Sequence, residues 1–274
     1  MTTQKKVALV TGASAGIGKS IVRQLMSDGW IVYGAARRTD KMDDIVKEGA
    51  KALALDVTDE ASMKRGVDAL LAAEGRIDAL VNNAGYGSYG ALEEVPIDEA
   101  KRQFDVNVFG VVRLTQLVLP SMRAAKSGTI VNVSSMGGRI WMPIGGWYHA
   151  TKHALEVLSD ALRLEVKPFG IRVVVIEPGA IATEWAGISA DNLEKTSANT
   201  AYGTLVKPMA NILRHDAAGK PAPPEVVARA VSLALNSRSP ARRYAVPFQS
   251  KMMIALVQWL PTWLYERVIL GVMR

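Results

Sequence analysis

Three side chains in this sequence have the types and spacing for proton transfer at a carbonyl group. Tyr148 and Lys152 stand four residues apart in W-Y-H-A-T-K, and Ser135 lies thirteen residues before Tyr148. A free phenol titrates near ~10, so it is a poor acid and a poor base at neutrality. Residues i and i+4 share a helix face, and a nearby ammonium favours the phenolate. A Tyr-x-x-x-Lys pair alone says little, because both residues are common on helices. It gains weight from a glycine-rich turn upstream, Thr11-Gly12-Ala13-Ser14-Ala15-Gly16-Ile17-Gly18. One part of the chain is suited to hold a nucleotide and another to protonate a carbonyl.

These groups need a scaffold that brings them together. Short apolar runs read as strands at Val7–Val10, Ile31–Ala35, Ala52–Leu55, Ala79–Val81, Thr129–Val133 and Val173–Ile176, with a seventh near Ala241–Val246. Helical patterns fall at Ile17–Ser27, Lys41–Glu48, Glu60–Ala73, Phe104–Ala125, His149–Lys167 and Glu225–Asn236. This alternation predicts an α/β fold, a doubly wound parallel sheet of about seven strands in three α/β/α layers. Strands apolar at nearly every position fit a sheet covered on both faces. With 274 residues and 49% hydrophobic content, one catalytic domain over 1–274 is expected. Residues 183–224 break the rhythm and end in Pro221, Pro223 and Pro224; we read them as a substrate lid. Residues 251–274 read as an apolar helical extension with Trp259, Trp263 and Tyr265, interrupted by Pro261. Packing on protein is preferred there to lying on a membrane, because the polar face is weakly basic and broken by proline.

Glycines after the first strand permit unusual backbone angles and close approach of a ligand. The helix that follows offers unpaired N–H groups and a favourable dipole to a pyrophosphate. The spacing is G-x-x-x-G-x-G. After the second strand the chain reads Ala35-Ala36-Arg37-Arg38, without the carboxylate that binds ribose hydroxyls in many NAD sites. Two guanidiniums suit a 2′-phosphate, so NADP is expected over NAD, with Ser14 as a further hydroxyl contact. Asp56-Val57 and Asn82-Asn83-Ala84-Gly85 follow the third and fourth strands, at the sheet end where such folds bind ligands.

Composition narrows the alternatives. Cysteine is absent, which excludes disulfides, thiolate zinc sites and a cysteine nucleophile and fits a reducing, cytoplasmic setting. Lys5 and Lys6 precede an apolar run too short for a secretion signal, and no stretch is long enough for an uninterrupted membrane span. Lys and Arg total 33 against 26 Asp and Glu, a formal charge of +7. The excess is scattered rather than striped, so no nucleic-acid partner is expected. His149 and His153 lack the intervening acid of a zinc-binding helix, so no metal is expected.

The ordered set T-G-A-S-A-G-I-G, Asp56-Val57, N-N-A-G, Asn107, S-S-M at Ser134–Met136, Y-H-A-T-K and P-G-A-I-A-T at Pro178–Thr183 resembles the short-chain dehydrogenase/reductase family. The resemblance runs from Val7 to Thr183. It implies an oxidoreductase that interconverts a carbonyl and an alcohol, with Tyr148 as general acid or base. Lys152 would lower the Tyr148 pKa and hold the nicotinamide ribose. Ser135, rather than Ser134, would orient the substrate oxygen. Asn107 would disturb its helix locally and anchor a water that feeds protons to Lys152. The implied cofactor contacts are Gly12, Ser14, Gly16, Ile17, Gly18, Arg37, Arg38, Asp56, Val57, Asn83, Ala84, Gly85, Tyr148, Lys152, Pro178, Gly179, Ile181 and Thr183. Ala15 departs from the basic residue that some NADP-preferring relatives carry in this turn. Bulky apolar residues precede Tyr148 (Ile140, Trp141, Met142, Ile144, Trp147) and recur in the lid (Trp185, Ile188, Leu193, Tyr202, Leu205, Met209). They suit a small lipophilic carbonyl or alcohol substrate, as in hydroxysteroid- and retinol-dehydrogenase-like relatives and uncharacterised bacterial oxidoreductases. The resemblance also implies a homo-oligomer, a dimer or tetramer joined through the long helices. The competing reading is a nucleotide-sensing protein with the same fold and little catalysis. The Asn107–Ser135–Tyr148–Lys152 set speaks against it, since a sensor needs no proton relay.

Overall fold

The computed structural model describes residues 5–215 and 220–273. Positions 216–219 of the expected lid and the last position of the expected extension lie outside the described residues. In chain order the elements are β1 (Val7–Thr11), α1 (Gly16–Ser27), β2 (Ile31–Ala36), α2 (Asp43–Lys47), β3 (Lys51–Ala54), α3 (Glu60–Glu74), β4 (Ala79–Asn82), α4 (Ile97–Phe104), α5 (Gly110–Ala124) and β5 (Gly128–Val133). They continue with α6 (Gly146–Glu165), β6 (Ile171–Pro178), α7 (Glu184–Ser197), α8 (Gly203–His215), α9 (Glu225–Asn236), β7 (Arg243–Val246), α10 (Phe248–Trp259) and α11 (Thr262–Val272).

Side chains alternate across a strand, and β1 shows the result. Val7 and Leu9 enter one core with Leu70, Leu114 and Val118, while Ala8 and Val10 enter another with Ile21, Leu25, Val227 and Val231. Helices α1 and α9 therefore cover one face, and α3 and α5 the other. Each fully buried Val, Leu or Ile in these layers contributes roughly 1.5–3 kcal/mol relative to exposure. All seven strands are parallel, in the order β3-β2-β1-β4-β5-β6-β7. The chain winds outward from β1 to β3, then restarts at β4 on the other side of β1. That reversal opens a crevice between the carboxyl ends of β1 and β4, the position where Rossmann-type sheets bind ligands.

Several expected boundaries move. The second expected helix is a 3-10 turn over Thr39–Met42 followed by the short α2. The helix expected over Phe104–Ala125 begins at Ile97, because α4 buries only Ala100 and Gln103 among polar neighbours and shows little apolar signal. The helix expected over His149–Lys167 starts at Gly146 and stops at Glu165, ahead of Pro168. The third strand is Lys51–Ala54, one residue earlier than expected, and as a sheet edge it leaves Lys51, Ala52 and Ala54 exposed rather than covered. The irregular stretch after Thr183 contains two helices, α7 and α8, which pack on each other.

Candidate active site

The crevice is built first from backbone. Gly12 and Gly16 take left-handed angles, φ +67 and +50. A Cβ on Gly18 would collide with the Gly12 carbonyl oxygen, so only glycine lets α1 start this close to β1. Ala15 caps α1 without a side-chain acceptor, and no acid lies in the first turn. The N–H groups of that turn and the dipole behind them are left for an anion. Thr183 closes the other side, its Cγ2 3.0 Å from a Cβ position on Gly16.

The fourth-strand motif braces this turn. The Thr11 hydroxyl accepts from the Asn83 and Ala84 amides, each at 3.0 Å, and Asn83 Nδ2 donates to the Thr11 carbonyl at 2.9 Å. The Asn83 side chain thus holds the glycine turn in shape. Arg37 and Arg38 follow β2 directly and are exposed. The Asp56 carboxylate accepts from the Thr58 amide and hydroxyl, at 2.9 and 2.8 Å, which fixes the turn after β3.

The reacting groups come from β5, α6 and the turn between α4 and α5. Tyr148 lies in the first turn of α6, and Lys152 follows one turn later. Ser135 stands close enough to the Tyr148 phenol to lower its pKa, and its Oγ accepts from the Gly137 amide at 3.0 Å. Ser134 faces away; its Oγ is 2.8 Å from the Cβ position of Gly138. Lys152 Nζ donates to the Val133 carbonyl at 3.1 Å. Asn107 sits in a π-helical turn over Asp105–Phe109, the local disturbance expected there. Its side chain accepts from the Tyr86 amide at 3.1 Å and donates to the Tyr86 carbonyl at 2.9 Å and to Thr151 Oγ1 at 3.1 Å. Gly85 brings the two sets together: its Cβ position is 3.1 Å from Asn107 Oδ1 and 3.6 Å from Lys152 Nζ.

Burial dominates the electrostatics. It pushes the Tyr148 phenol up to about 12, opposed only by Ser135. It pushes Lys152 down to about 8, opposed by Glu156 one turn further along α6. The depression of the phenol by Lys152, expected from their i, i+4 spacing, is therefore not met. Desolvation of both groups outweighs their proximity. His149 is buried, and its Nδ1 stands 3.0 Å from the Gly137 carbonyl, so that nitrogen carries the proton. Burial lowers its pKa as well.

The apolar surround divides. Ile144, Leu193 and Met209 share one core cluster with Tyr148, and Met142, Trp185, Tyr202 and Leu205 pack against it. Trp141 and Ile188 are exposed, and Trp147 turns to the Phe104 ring of α4. Trp185, in the first turn of α7, lies 5.4 Å from the Tyr148 ring and 6.1 Å from Tyr89, centroid to centroid. Tyr89 is itself 5.4 Å from Tyr148. An indole thus covers the phenol.

Four features escaped the sequence reading. Tyr89 sits in a loop that carries no motif. A buried polar ladder runs from Thr115 through Asn82 and Asn132 to Ser159, with Asn82 Nδ2 donating to Asn132 Oδ1 and Asn132 Nδ2 to Ser159 Oγ, both at 2.9 Å. It ties β4 and β5 to α5 and α6; a polar residue inside an apolar strand was its one signal. Arg243 of β7 donates to Glu156 at 2.9 Å and to Asp160 at 2.6 Å. Glu177, the residue before Pro178, lies 3.3 Å from the same Arg243 Nε and 3.9 Å from Arg139. Beyond it, Gly179 meets α10: Ser250 Oγ occupies the place of a Cβ on Gly179, so only glycine fits there.

Comparison with known proteins bears on this geometry. The family model described as short chain dehydrogenase matches residues 6–193. A 3-ketodihydrosphingosine reductase of Bacteroides thetaiotaomicron is 35% identical, over 94% of this chain and 94% of that protein. An NADPH-dependent 3-dehydrocapnine reductase of Ornithobacterium rhinotracheale is 32% identical, over 96% of this chain and 95% of its own length. The crystal structure of a short-chain dehydrogenase from Streptomyces avermitilis superimposes with a TM-score of 0.84 at 38% identity, covering 94% of this chain and 93% of that one. Other similar solved structures hold NADP, NADPH or NADH. Likeness of this depth along nearly the whole length, on a sheet with this switch point, makes the protein an oxidoreductase of the short-chain dehydrogenase/reductase family.

Proposed function

We propose that this enzyme reduces a ketone on a long-chain lipophilic substrate with NADPH, and that Tyr148 donates the proton. The observation that carries the reading is a buried Tyr148 phenol beside Ser135, within an apolar wall of Tyr89, Ile144 and Trp185. A phenol held near 12 keeps its proton at neutral pH, as a general acid for carbonyl reduction must. Ser135 orients the substrate oxygen toward it. Asn107 positions the loop after β4, and with it the ground between Gly85 and Lys152.

The uncapped α1 terminus with Gly12, Ser14, Gly16, Ile17 and Gly18 fits a pyrophosphate. The exposed Arg37 and Arg38 fit a 2′-phosphate and favour NADP over NAD. Asp56 and Val57 would border the adenine. Asn83, Ala84 and Gly85 would line the ribose side with Lys152, and Pro178, Gly179, Ile181 and Thr183 would hold the nicotinamide. When bound, the nicotinamide supplies the hydride. The protein's own groups orient the ketone, exclude water and deliver the proton. Residues 183–224 act as the lid of a single catalytic domain spanning 1–274, and Trp185 is its latch over Tyr148. The named relatives that act on 3-ketodihydrosphingosine and 3-dehydrocapnine support a long-chain ketone as substrate class. A homo-oligomer in the cytoplasm completes the reading.

The test is a panel of short and long-chain ketones followed at the nicotinamide absorbance with NADPH and NADH, on the native enzyme and Tyr148→Phe. Turnover of long-chain ketones with NADPH is expected, falling at least ~100-fold in the variant while nucleotide binding persists. An unchanged rate in Tyr148→Phe would remove that residue from the reaction.

A further inference from the structure

The tail meets the rest of the protein with one face and leaves an apolar face on the other side. Tyr265 of α11 and Met273 just after it are buried; Met273 belongs to the cluster that holds Tyr148 and lid residues, and Ile269 packs against it. The Tyr265 hydroxyl donates to the Trp141 carbonyl, in the segment that leads to Tyr148. On α10, Ser250 and Ile254 are buried. The outer face carries Met252, Leu256 and Trp259 at i, i+4 and i+7, then Trp263 and Leu270 beyond Pro261. Exposure reaches 63% at Leu256, 88% at Trp259 and 65% at Trp263.

We propose that this outer face of α10 and α11 docks on an anionic lipid bilayer, and that substrate enters the site from there. The proposal rests on the long-chain substrate reading above, because an amphiphile of that kind resides in a bilayer. Charge does not oppose an anionic surface: α10 carries Lys251 and no carboxylate, and α11 adds the pair Glu266 and Arg267, so the two helices sum to +1. The two tryptophans flank the proline break at the corner between the helices, where an indole settles at headgroup depth. The geometry is that of a surface contact, not a span. At about 1.5 Å per residue neither helix crosses a core of about 30 Å, and no helix among the described residues is long and apolar enough to do so. The inner face joins this surface to the chemistry: Ser250 backs Gly179, Tyr265 holds Trp141, and Met273 lies in the same core as Tyr148. A bilayer under α10 and α11 therefore borders the mouth that the lid covers.

The experiment floats the full-length enzyme with vesicles of phosphatidylcholine and phosphatidylglycerol, beside a triple variant Leu256→Gln, Trp259→Gln, Trp263→Gln. The native protein is expected to float with a blue-shifted tryptophan emission. The variant is expected to keep its circular dichroism and its rate on a short soluble ketone. Its partition should fall by about tenfold or more for each large apolar side chain withdrawn from lipid. A native protein that stays at the bottom of the gradient, or a variant that floats equally well, overturns the proposal. So does a native oligomer that the triple substitution splits while neither form floats, which assigns the face to a second copy. Reduction of a long-chain ketone in detergent micelles separates the two readings. Turnover there without flotation removes the docking alone, whereas flotation without turnover of any long-chain ketone upholds the docking and removes the substrate class.

Discussion

Replacing Glu177 by Gln tests whether a buried carboxyl just before Pro178 holds a proton at neutral pH. Parallel pairing sets Arg243 opposite Val175 and Ala245 opposite Glu177, so Arg243 and Glu177 share one sheet face. Glu156 and Asp160 of α6 take the Arg243 hydrogen bonds. Glu177, 3% exposed, keeps an Oε1 without a hydrogen-bond donor. Burial, and then the Glu156 charge, push it up to about 7 from an ordinary 4.5. At about 1.36 kcal/mol per pKa unit, that gap corresponds to about 3 kcal/mol. Below 4.5 both folded and unfolded chains hold the proton, and the group costs nothing. Between 4.5 and about 7 the unfolded chain releases its proton while the folded chain still holds it, so stability falls across that window and levels off above it. The amide introduced by Glu177→Gln has no such proton to lose. Urea unfolding of both proteins from about pH 5 to about pH 8 should show the variant gaining on the native protein, by about 3 kcal/mol at the upper end. Titrating groups far from Glu177 are common to both and cancel in the difference, leaving Glu177 and its coupled neighbours Glu156 and Asp160. A difference that stays flat with pH would show that Glu177 ionises in the fold as it does in water, and the argument from desolvation would fail.

Two further outcomes follow from the site. Arg37→Asp should move cofactor preference from NADP toward NAD by at least ~10-fold, through loss of a charge-assisted contact and like-charge repulsion with a 2′-phosphate; an unmoved ratio of the two Kd values would refute the arginine assignment. Trp185→Ala removes two ring contacts worth ~0.5–1.5 kcal/mol each, so amide exchange in α7 should quicken by roughly 5–150-fold with little change in global stability. Unaltered exchange there would show that the indole does not latch the lid.

Much of the site was legible because local rules governed it. A glycine turn must follow β1 if α1 is to start against it, and Gly12, Gly16 and Gly18 meet that need within one loop. Tyr148 and Lys152 are one turn apart in any helix, and Ser135 turns to the phenol while Ser134 turns away. Helix α4 was less legible, since its buried positions are Ala100 and Gln103 rather than an apolar stripe. Helices α7 and α8 were hidden by mixed composition, and their stability comes from packing on each other and on the cluster around Tyr148.

What the sequence determined by itself was the rhythm of strands and helices and the residue types at each strand end. Those are properties of neighbours in the chain. The ionisation of Tyr148, Lys152 and Glu177, the Trp185 cover, the Arg243 carboxylate cluster and the two-faced tail were decided only by tertiary structure. Each depends on how far water is excluded and on partners brought from distant parts of the chain. Desolvation is a property of the surrounding volume, so no spacing along one helix states its magnitude.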